Sequence, residues 1–246
     1  MPPAPNSRSP SRRHQPQGLT ILYEDRDILV VDKAAGLLTM GTETEKTRTA
    51  YYRLTDYVRK GNSRSRHRVF IVHRLDREVS GILVFAKTHT AKMTLQEHWD
   101  QTGKKYLAVV HGRMPEKAGI LSSYLTENKA QIVHSTPDPA KGKLSRTAYR
   151  VLKETKELSL LEIDLLTGRK NQIRVHLAEH GHPIVGDKKY GKADKAHDRL
   201  ALHAKSISFK HPFTGKSLTF ETSVPGYLNA LVGGVDQEFE APPGRA

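Results

Sequence analysis

The sequence predicts an α+β fold, a mixed and largely antiparallel sheet with flanking helices and loops. Three observations lead there: strand-like runs outnumber helical ones, they lack the regular strand-helix alternation of a doubly wound fold, and no segment repeats internally. With 246 residues, 37% of them hydrophobic, the chain is long enough to enclose a core.

Met1–Gln17 is rich in Pro, Ser and Arg and contains no acid, so it cannot bury enough apolar surface to order itself. Residues 1–18 are expected to be a flexible basic arm, residues 19–233 a folded domain, and residues 234–246 a flexible tail. Leu19–Tyr23 and Ile28–Asp32 read as two strands of a hairpin, followed by a turn at Gly36. Thr49–Lys60 carries Tyr51, Leu54, Tyr57 and Val58 at helical spacing and stops at Gly61-Asn62, ahead of the short basic loop Ser63–Arg68.

Val69–Val72 and Ile82–Ala86 are apolar, β-branched-rich runs that read as buried strands, which leaves Arg74–Ser80 as a tight loop at the sheet edge. A second helix is expected over Thr90–Gln101, with Met93, Leu95 and Trp99 as its apolar contacts and Gly103 as its stop. Strands follow at Lys104–His111, Gly119–Leu125, Gln131–His134, Ser145–Leu152 and Leu158–Leu166. Thr167-Gly-Arg169 then turns into a helix over Asn171–Glu179, capped by Gly181, and Ala204–Phe209 with Ser217–Phe220 closes the domain as a hairpin-like pair.

Lys and Arg number 40 against 26 Asp and Glu, a formal charge of +14, which favours a polyanionic partner because phosphate contacts release counterions. The chain has no cysteine, which excludes disulfides, thiolate zinc sites and cysteine nucleophiles and fits a reducing, cytoplasmic location. No apolar run reaches the roughly 18 residues of a membrane span, and neither glycine-rich phosphate-loop signature occurs. His176, His180 and His182 lie close together but lack an acidic third ligand nearby, so no metal is expected.

The most informative stretch is Ile71–Lys87, where Asp76 stands between Arg74 and Arg77 with His73 close by. Neighbouring cations keep a carboxylate ionised, as a nucleophile requires. Taken alone, an Asp in such a loop more often fixes a turn or pairs with a neighbour such as Arg77 than performs chemistry.

The wider pattern resembles a known family. His73-Arg-Leu-Asp76, Ser80-Gly81 and Ala86-Lys87 are similar to the central motif of the RluA-type RNA pseudouridine synthases. Further matches follow in the same order: Lys105–Gly112, Thr167–Leu177, Gly181–Gly191, Leu202-His-Ala204 and His211-Pro212, so the resemblance spans roughly Leu19 to Pro225. It implies a sheet of the pseudouridine synthase type, an enzyme that isomerises uridines in rRNA or tRNA, and no cofactor; the oligomeric state is not readable from the sequence, and a monomer is the default.

By this resemblance Asp76 is the nucleophile, Tyr106 the active-site tyrosine that packs on the target base, and Arg174 the arginine that pairs with the catalytic carboxylate. Arg74 enters the space left by the extracted nucleotide, since a stacked uridine must be flipped before its glycosidic bond is accessible. His73, Arg74, Arg169 and Asn171 are the expected substrate-binding residues, with Asn171 standing where the family usually has His. Lys170, Arg48 and the Arg64–Arg68 cluster are weaker candidates for phosphate contacts. Whether the carboxylate attacks the anomeric carbon or initiates a glycal intermediate is open at this level. Many relatives carry an additional small RNA-binding domain, which the segment before Leu19 is too short and too polar to form. The competing classes are a catalytically silent RNA-binding or ribosome-assembly module, and a glycoside hydrolase, for which Glu78 is the one loop-local second carboxylate.

Overall fold

The computed structural model describes residues 15–191 and 196–234, so the expected arm and tail fall almost entirely outside the described residues. The chain divides into two compact units, residues 1–101 with 209–220 and residues 102–208 with 221–246.

In the first unit, β1 (Leu19–Glu24) and β2 (Ile28–Lys33) form the expected antiparallel hairpin. Its turn is fixed by Asp25, whose Oδ1 accepts from the N–H groups of Asp27 and Ile28, both at 2.8 Å. β1 buries Leu19 and Ile21 on one face, whereas Ile28–Val31 of β2 is buried throughout. The difference follows from position, because β2 lies between β1 and β4 (Ser80–Ala86), pairing with the latter from Ile28↔Ala86 to Lys33↔Gly81. A strand covered on both faces reads as a continuous apolar run. Of the expected strand Val69–Val72, only β3 (Phe70–Ile71) pairs with β4, although Val69 and Val72 are buried as well.

Helix α1 (Ala50–Arg59) starts at Thr49, whose Oγ1 accepts from Tyr52 N–H, and stops at Lys60 and Gly61, both at positive φ. Helix α2 (His89–Glu97) is shorter than expected and leads into a 3-10 turn at Trp99–Gln101. Met93 is 51% exposed rather than a core contact. Ala91 and Leu95 are the buried pair, four residues apart on one face, and Met93, two residues from each, points away. The segment 209–220 belongs to this unit, with His211 Nε2 at 2.9 Å from Asp25 Oδ2 and the Phe220 ring 5.4 Å from Tyr23.

The second unit is built on β5 (Gly103–His111), β6 (Ala118–Glu127), β7 (Val133–Thr136), β8 (Lys143–Glu154), β9 (Leu158–Leu165) and β10 (Leu202–Lys210). They run side by side in the order β10-β5-β9-β8-β6-β7, each neighbouring pair antiparallel. β7 begins two residues later than expected because Gln131 sits at φ 59 in a turn closed onto Asn128. A last strand, β11 (Ser217–Glu221), covers the expected run Ser217–Phe220.

Helix α3 (Gln172–Glu179) packs on β6, β7 and β8 and is buried from Gln172 through Leu177. Its polar residues are matched to the sheet: His176 bridges Thr147 Oγ1 at 2.9 Å and Ser123 Oγ at 3.0 Å, and Gln172 Nε2 donates to Thr147 Oγ1 and to the Arg146 carbonyl. Burial pushes the His176 imidazole down to about 4, which keeps it neutral. A short α4 (Gly226–Leu231) follows Pro225 and has no counterpart among the expected elements. No described helix is long and apolar enough to cross a membrane.

Candidate active site

The loop carrying Asp76 is clamped from below by the segment that follows β2. Thr39 Oγ1 donates to the Leu75 carbonyl at 2.8 Å and accepts the Leu75 N–H at 3.2 Å. Gly36, at φ 87, donates its N–H to the Arg77 carbonyl at 2.8 Å, and Arg77 Nε returns a bond to the Gly36 carbonyl. Val79 N–H reaches the Asp76 carbonyl at 3.2 Å and closes the turn. Leu75 and Val79 are buried, Asp76 is half-buried, and Arg74, Arg77 and Glu78 are exposed. Two apolar anchors and five backbone-directed bonds thus fix where the Asp76 side chain starts.

Lys33 is the least expected part of this arrangement. It is 0% exposed, yet its ammonium donates to the carbonyls of Leu37 (2.9 Å), Ala34 (3.0 Å) and Arg77 (3.3 Å). Burial lowers the Lys33 pKa to about 8, while the carboxylates of Glu78, Asp76 and Asp32 pull the other way. The loop therefore rests on a buried cation whose three donors are matched to the carbonyls of Ala34, Leu37 and Arg77.

His73 is tied into the same unit. Its Nε2 accepts the Val84 N–H at 3.0 Å and its ring stacks on Trp99 with centroids 4.6 Å apart. An accepting ring nitrogen carries no proton, so the neutral ring holds its hydrogen on Nδ1. Arg74 has no carboxylate at ion-pair distance among the described residues, whereas Arg48 is paired to Glu45.

In the second unit, Tyr106 lies half-buried near the start of β5, opposite Ala204 of β10 and Ile163 of β9. Arg174 projects from α3 and is gripped by Asp187, Nε to Oδ2 at 2.8 Å and one terminal nitrogen to Oδ1 at 2.7 Å. Both side chains are buried, at 7% and 1% exposure. Burial alone would raise the Asp187 pKa, but Arg174 and the N–H groups of Tyr190 and Lys189 hold it below the usual carboxylate range. The Tyr190 ring lies 5.3 Å from the Arg174 guanidinium. Gly186 permits this approach of the chain: at φ 72, a Cβ there would stand 2.1 Å from the Arg199 carbonyl oxygen.

Asn171 opens α3 at φ 52, a left-handed conformation that Asn tolerates better than most residues, and its Oδ1 accepts from Tyr190 Oη at 3.1 Å and Lys189 Nζ at 3.3 Å. Arg169 is exposed, its backbone N–H held by Gln172 Oε1 at 3.0 Å, and Lys170 is paired with Glu127. His73, Arg74 and Asp76 are thus brought together on one loop, and Arg169, Asn171 and Arg174 on one turn and helix.

The three clustered histidines do not converge on a metal site. Besides the bridging His176, His180 Nδ1 faces the His176 carbonyl and His182 Nδ1 the His111 carbonyl. Asp25, Asp27 and His211 have metal-ligand spacing, but both Asp25 oxygens already accept bonds, Oδ1 from two backbone N–H groups and Oδ2 from Tyr23 and His211. Lys33, Thr39 and Asp187 emerge only in three dimensions. In the sequence Lys33 is only the residue after Asp32 at the end of β2 and Asp187 one of several residues between Gly186 and Gly191, and neither position marks its partner.

Residues 27–179 match the family model described as RNA pseudouridylate synthase. The chain belongs to this family. Among its relatives, the uncharacterized RNA pseudouridine synthase YhcT of Bacillus subtilis is 34% identical over 223 residues, 87% of this chain and 71% of that protein. The ribosomal large subunit pseudouridine synthase C of Buchnera aphidicola is 33% identical over 230 residues, 86% of this chain and 70% of that one. Two solved human structures share the fold, each with a TM-score of 0.69. RNA pseudouridylate synthase domain containing 4 is 23% identical, with 85% of this chain and 89% of that chain covered. RNA pseudouridylate synthase domain containing 1 is 25% identical, with 86% of each chain covered. As an RNA pseudouridine synthase of the α+β class, the protein is an isomerase acting on RNA, and the resemblance to RluA-type enzymes holds.

Proposed function

We propose that this pseudouridine synthase converts uridine to pseudouridine in structured ribosomal or transfer RNA, with Asp76 as the nucleophile and the target nucleotide flipped out of its stack. The observation that carries this reading is the Asp76 loop, braced by Thr39 and Gly36 and seated on the buried Lys33 ammonium. A carboxylate that must meet a ribose at one defined point needs such fixing, because misplacement by about 1 Å can cost about 100-fold in rate. The names of several relatives, which specify the ribosomal large subunit, favour rRNA.

The isomerisation breaks the bond from ribose C1′ to uracil N1, turns the base, and joins C1′ to C5. N1 gains a proton and C5 loses one, so no redox equivalent is consumed. Asp76 acts at the sugar, either on C1′ or by starting glycal formation. Arg74, exposed and lacking a carboxylate partner among the described residues, fills the space vacated by the base. Tyr106 offers a ring for stacking and a hydroxyl close to the proton leaving C5. Arg174 supports the charge of Asp76, while His73, Arg169 and Asn171 help to seat the RNA. A cytoplasmic location and a monomeric enzyme belong to the same reading; the cysteine-free composition accords with the first.

The test is Asp76→Asn, which keeps the side-chain shape and removes the nucleophile. Purified wild type should form pseudouridine in total rRNA or tRNA, mapped site by site. The variant should form none while binding the same RNA as tightly; undiminished product from it would sink the assignment.

A further inference from the structure

We infer that the first unit holds a second RNA-docking surface, a basic cleft at the C-terminal end of α1 that grips the sugar-phosphate backbone of the substrate away from the target uridine. This rests on RNA being the substrate and adds a place where the RNA is held. The cleft has a volume of about 1630 Å³ and is bounded by the last turn of α1, the loop 61–67, Arg26 of the β1–β2 turn, and the Lys87-Thr88 exit of β4. Pockets that enclose small ligands run to roughly 300–1,000 Å³, so an open basic trough of this size fits a stretch of polymer better.

Its charge is not internally balanced. Two carboxylates line it: Glu24 is occupied by Lys87 Nζ at 2.8 Å and by Tyr57 Oη at 2.9 Å, and Asp56 is exposed. Arg26, Lys60 and Arg66 also line it and are exposed, and Arg64 projects from the same loop; among the described residues none of these four has a carboxylate at ion-pair distance. Elsewhere in this chain exposed cations do find acids, as Lys117 does with Glu154 and Lys188 with Asp198. Unpaired cations gathered on one wall are the electrostatic footprint of a polyanion site.

The loop is also built to hold its cations in place. Lys60 and Gly61 adopt positive φ, Asn62 Oδ1 accepts the Arg64 N–H at 3.0 Å, and Ser65 Oγ accepts the His67 N–H at 3.2 Å. Arg59 Nε then ties the His67 carbonyl back to the helix at 3.1 Å. Of the two rings lining the cleft, Tyr57 is half-buried with its hydroxyl engaged by Glu24 and His67 is a single exposed imidazole, so cations far outnumber the faces on which a base could stack. Recognition here is therefore of phosphates and independent of sequence.

The experiment measures binding of a naked large-subunit rRNA transcript, and of a short uridine-containing hairpin, across a salt series. The triple variant Lys60→Gln/Arg64→Gln/Arg66→Gln leaves the Arg59 tie intact. It should weaken transcript binding about tenfold or more and reduce the slope of log affinity against log salt by about 2 to 3, at roughly 0.7–0.9 per lost phosphate contact. Hairpin binding and kcat at saturating RNA should be unchanged, so that KM alone rises. Asp56→Lys should act in the opposite sense and steepen the slope. Wild-type affinity and slope in the triple variant would overturn the inference, as would an equal loss on the hairpin. So would a variant that binds naked transcript normally but fails to associate with intact ribosomal subunits, since the cleft would then dock protein. If wild type made no pseudouridine, the nucleophile reading would fail by itself, and the salt series would still decide whether the cleft binds RNA.

Discussion

Arg174 and Asp187 form a two-pronged ion pair, at 2.8 and 2.7 Å, between side chains that are both nearly inaccessible to water. A guanidinium held at two nitrogens by one carboxylate has lost its freedom to rotate, so its remaining N–H groups point in one direction. Asp187 is thereby a positioning residue: whatever Arg174 supports is aimed by this carboxylate, whose own place is set by Gly186 and by the N–H groups of Lys189 and Tyr190.

Replacing Asp187 with Asn leaves a buried cation without its counter-charge. Breaking a buried pair from one side costs about 3–5 kcal/mol, and thermal or denaturant unfolding should record a loss in that range. If Arg174 supports the nucleophile, kcat should fall while RNA affinity stays near wild type, and Asp187→Glu should restore part of it. An unchanged kcat in a folded Asp187→Asn protein would detach Arg174 from the chemistry.

The clamp between Thr39 and Leu75 gives a second expectation, one that concerns placement more than charge. Thr39→Val keeps the shape but leaves the Leu75 N–H and carbonyl, both buried, without their partner, at about 1–3 kcal/mol. The Asp76 loop should loosen, and kcat should drop by about ten- to 100-fold with little change in KM for RNA. Single-turnover kinetics on a saturating transcript would separate this from weakened binding.

Most of the fold is legible along the chain because buried central strands and capped helices leave local marks. Ile28–Val31 and Ile82–Ala86 are continuous apolar runs, and Thr49 with Gly61 brackets α1 as capping chemistry requires. What stayed hidden depends on neighbours distant in sequence. Gln131 reads as strand until its turn onto Asn128 is seen, and Met93 reads as core until Ala91 and Leu95 show which face of α2 is covered. The candidate site divides in the same way. Asp76 is visible as a residue type in a motif, but a lysine at 0% exposure holding Arg77, or an acid gripping Arg174 across 13 positions, has no local signature.

His176 sets the response to acid. Its pKa is depressed in the folded protein, from 6.5 to about 4, because burial between Thr147 and Ser123 penalises the charged ring. The unfolded chain therefore binds the proton first, so the contribution of neutral His176 to stability is complete above about pH 6.5 and is lost as pH falls toward 4. At about 1.4 kcal/mol per pKa unit, the full loss is about 3 kcal/mol. Denaturant midpoints measured from pH 7 to 4 should fall, and His176→Gln, which carries no titrating group, should flatten that dependence.

Two glycines with similar backbone angles separate conformational strain from crowding. Gly36 has φ 87 and nothing within 4 Å of the point where a Cβ would stand, whereas Gly186 has φ 72 and would place a Cβ 2.1 Å from the Arg199 carbonyl oxygen. An L side chain in the left-handed region costs roughly 1–2 kcal/mol, and for Gly36→Ala that strain is the whole penalty. Its unfolding free energy should drop by about that much, with the Gly36 N–H still donating to the Arg77 carbonyl and activity largely kept. Gly186→Ala adds an overlap with the Arg199 backbone, and a shift of the chain at Gly186 to relieve it carries the adjacent Asp187 along. Its loss should be larger, and any folded protein recovered should share the kcat defect of Asp187→Asn. Equal stability losses in the two variants would show that the chain at Gly186 yields easily, and Asp187 would then owe its position to Arg174 alone.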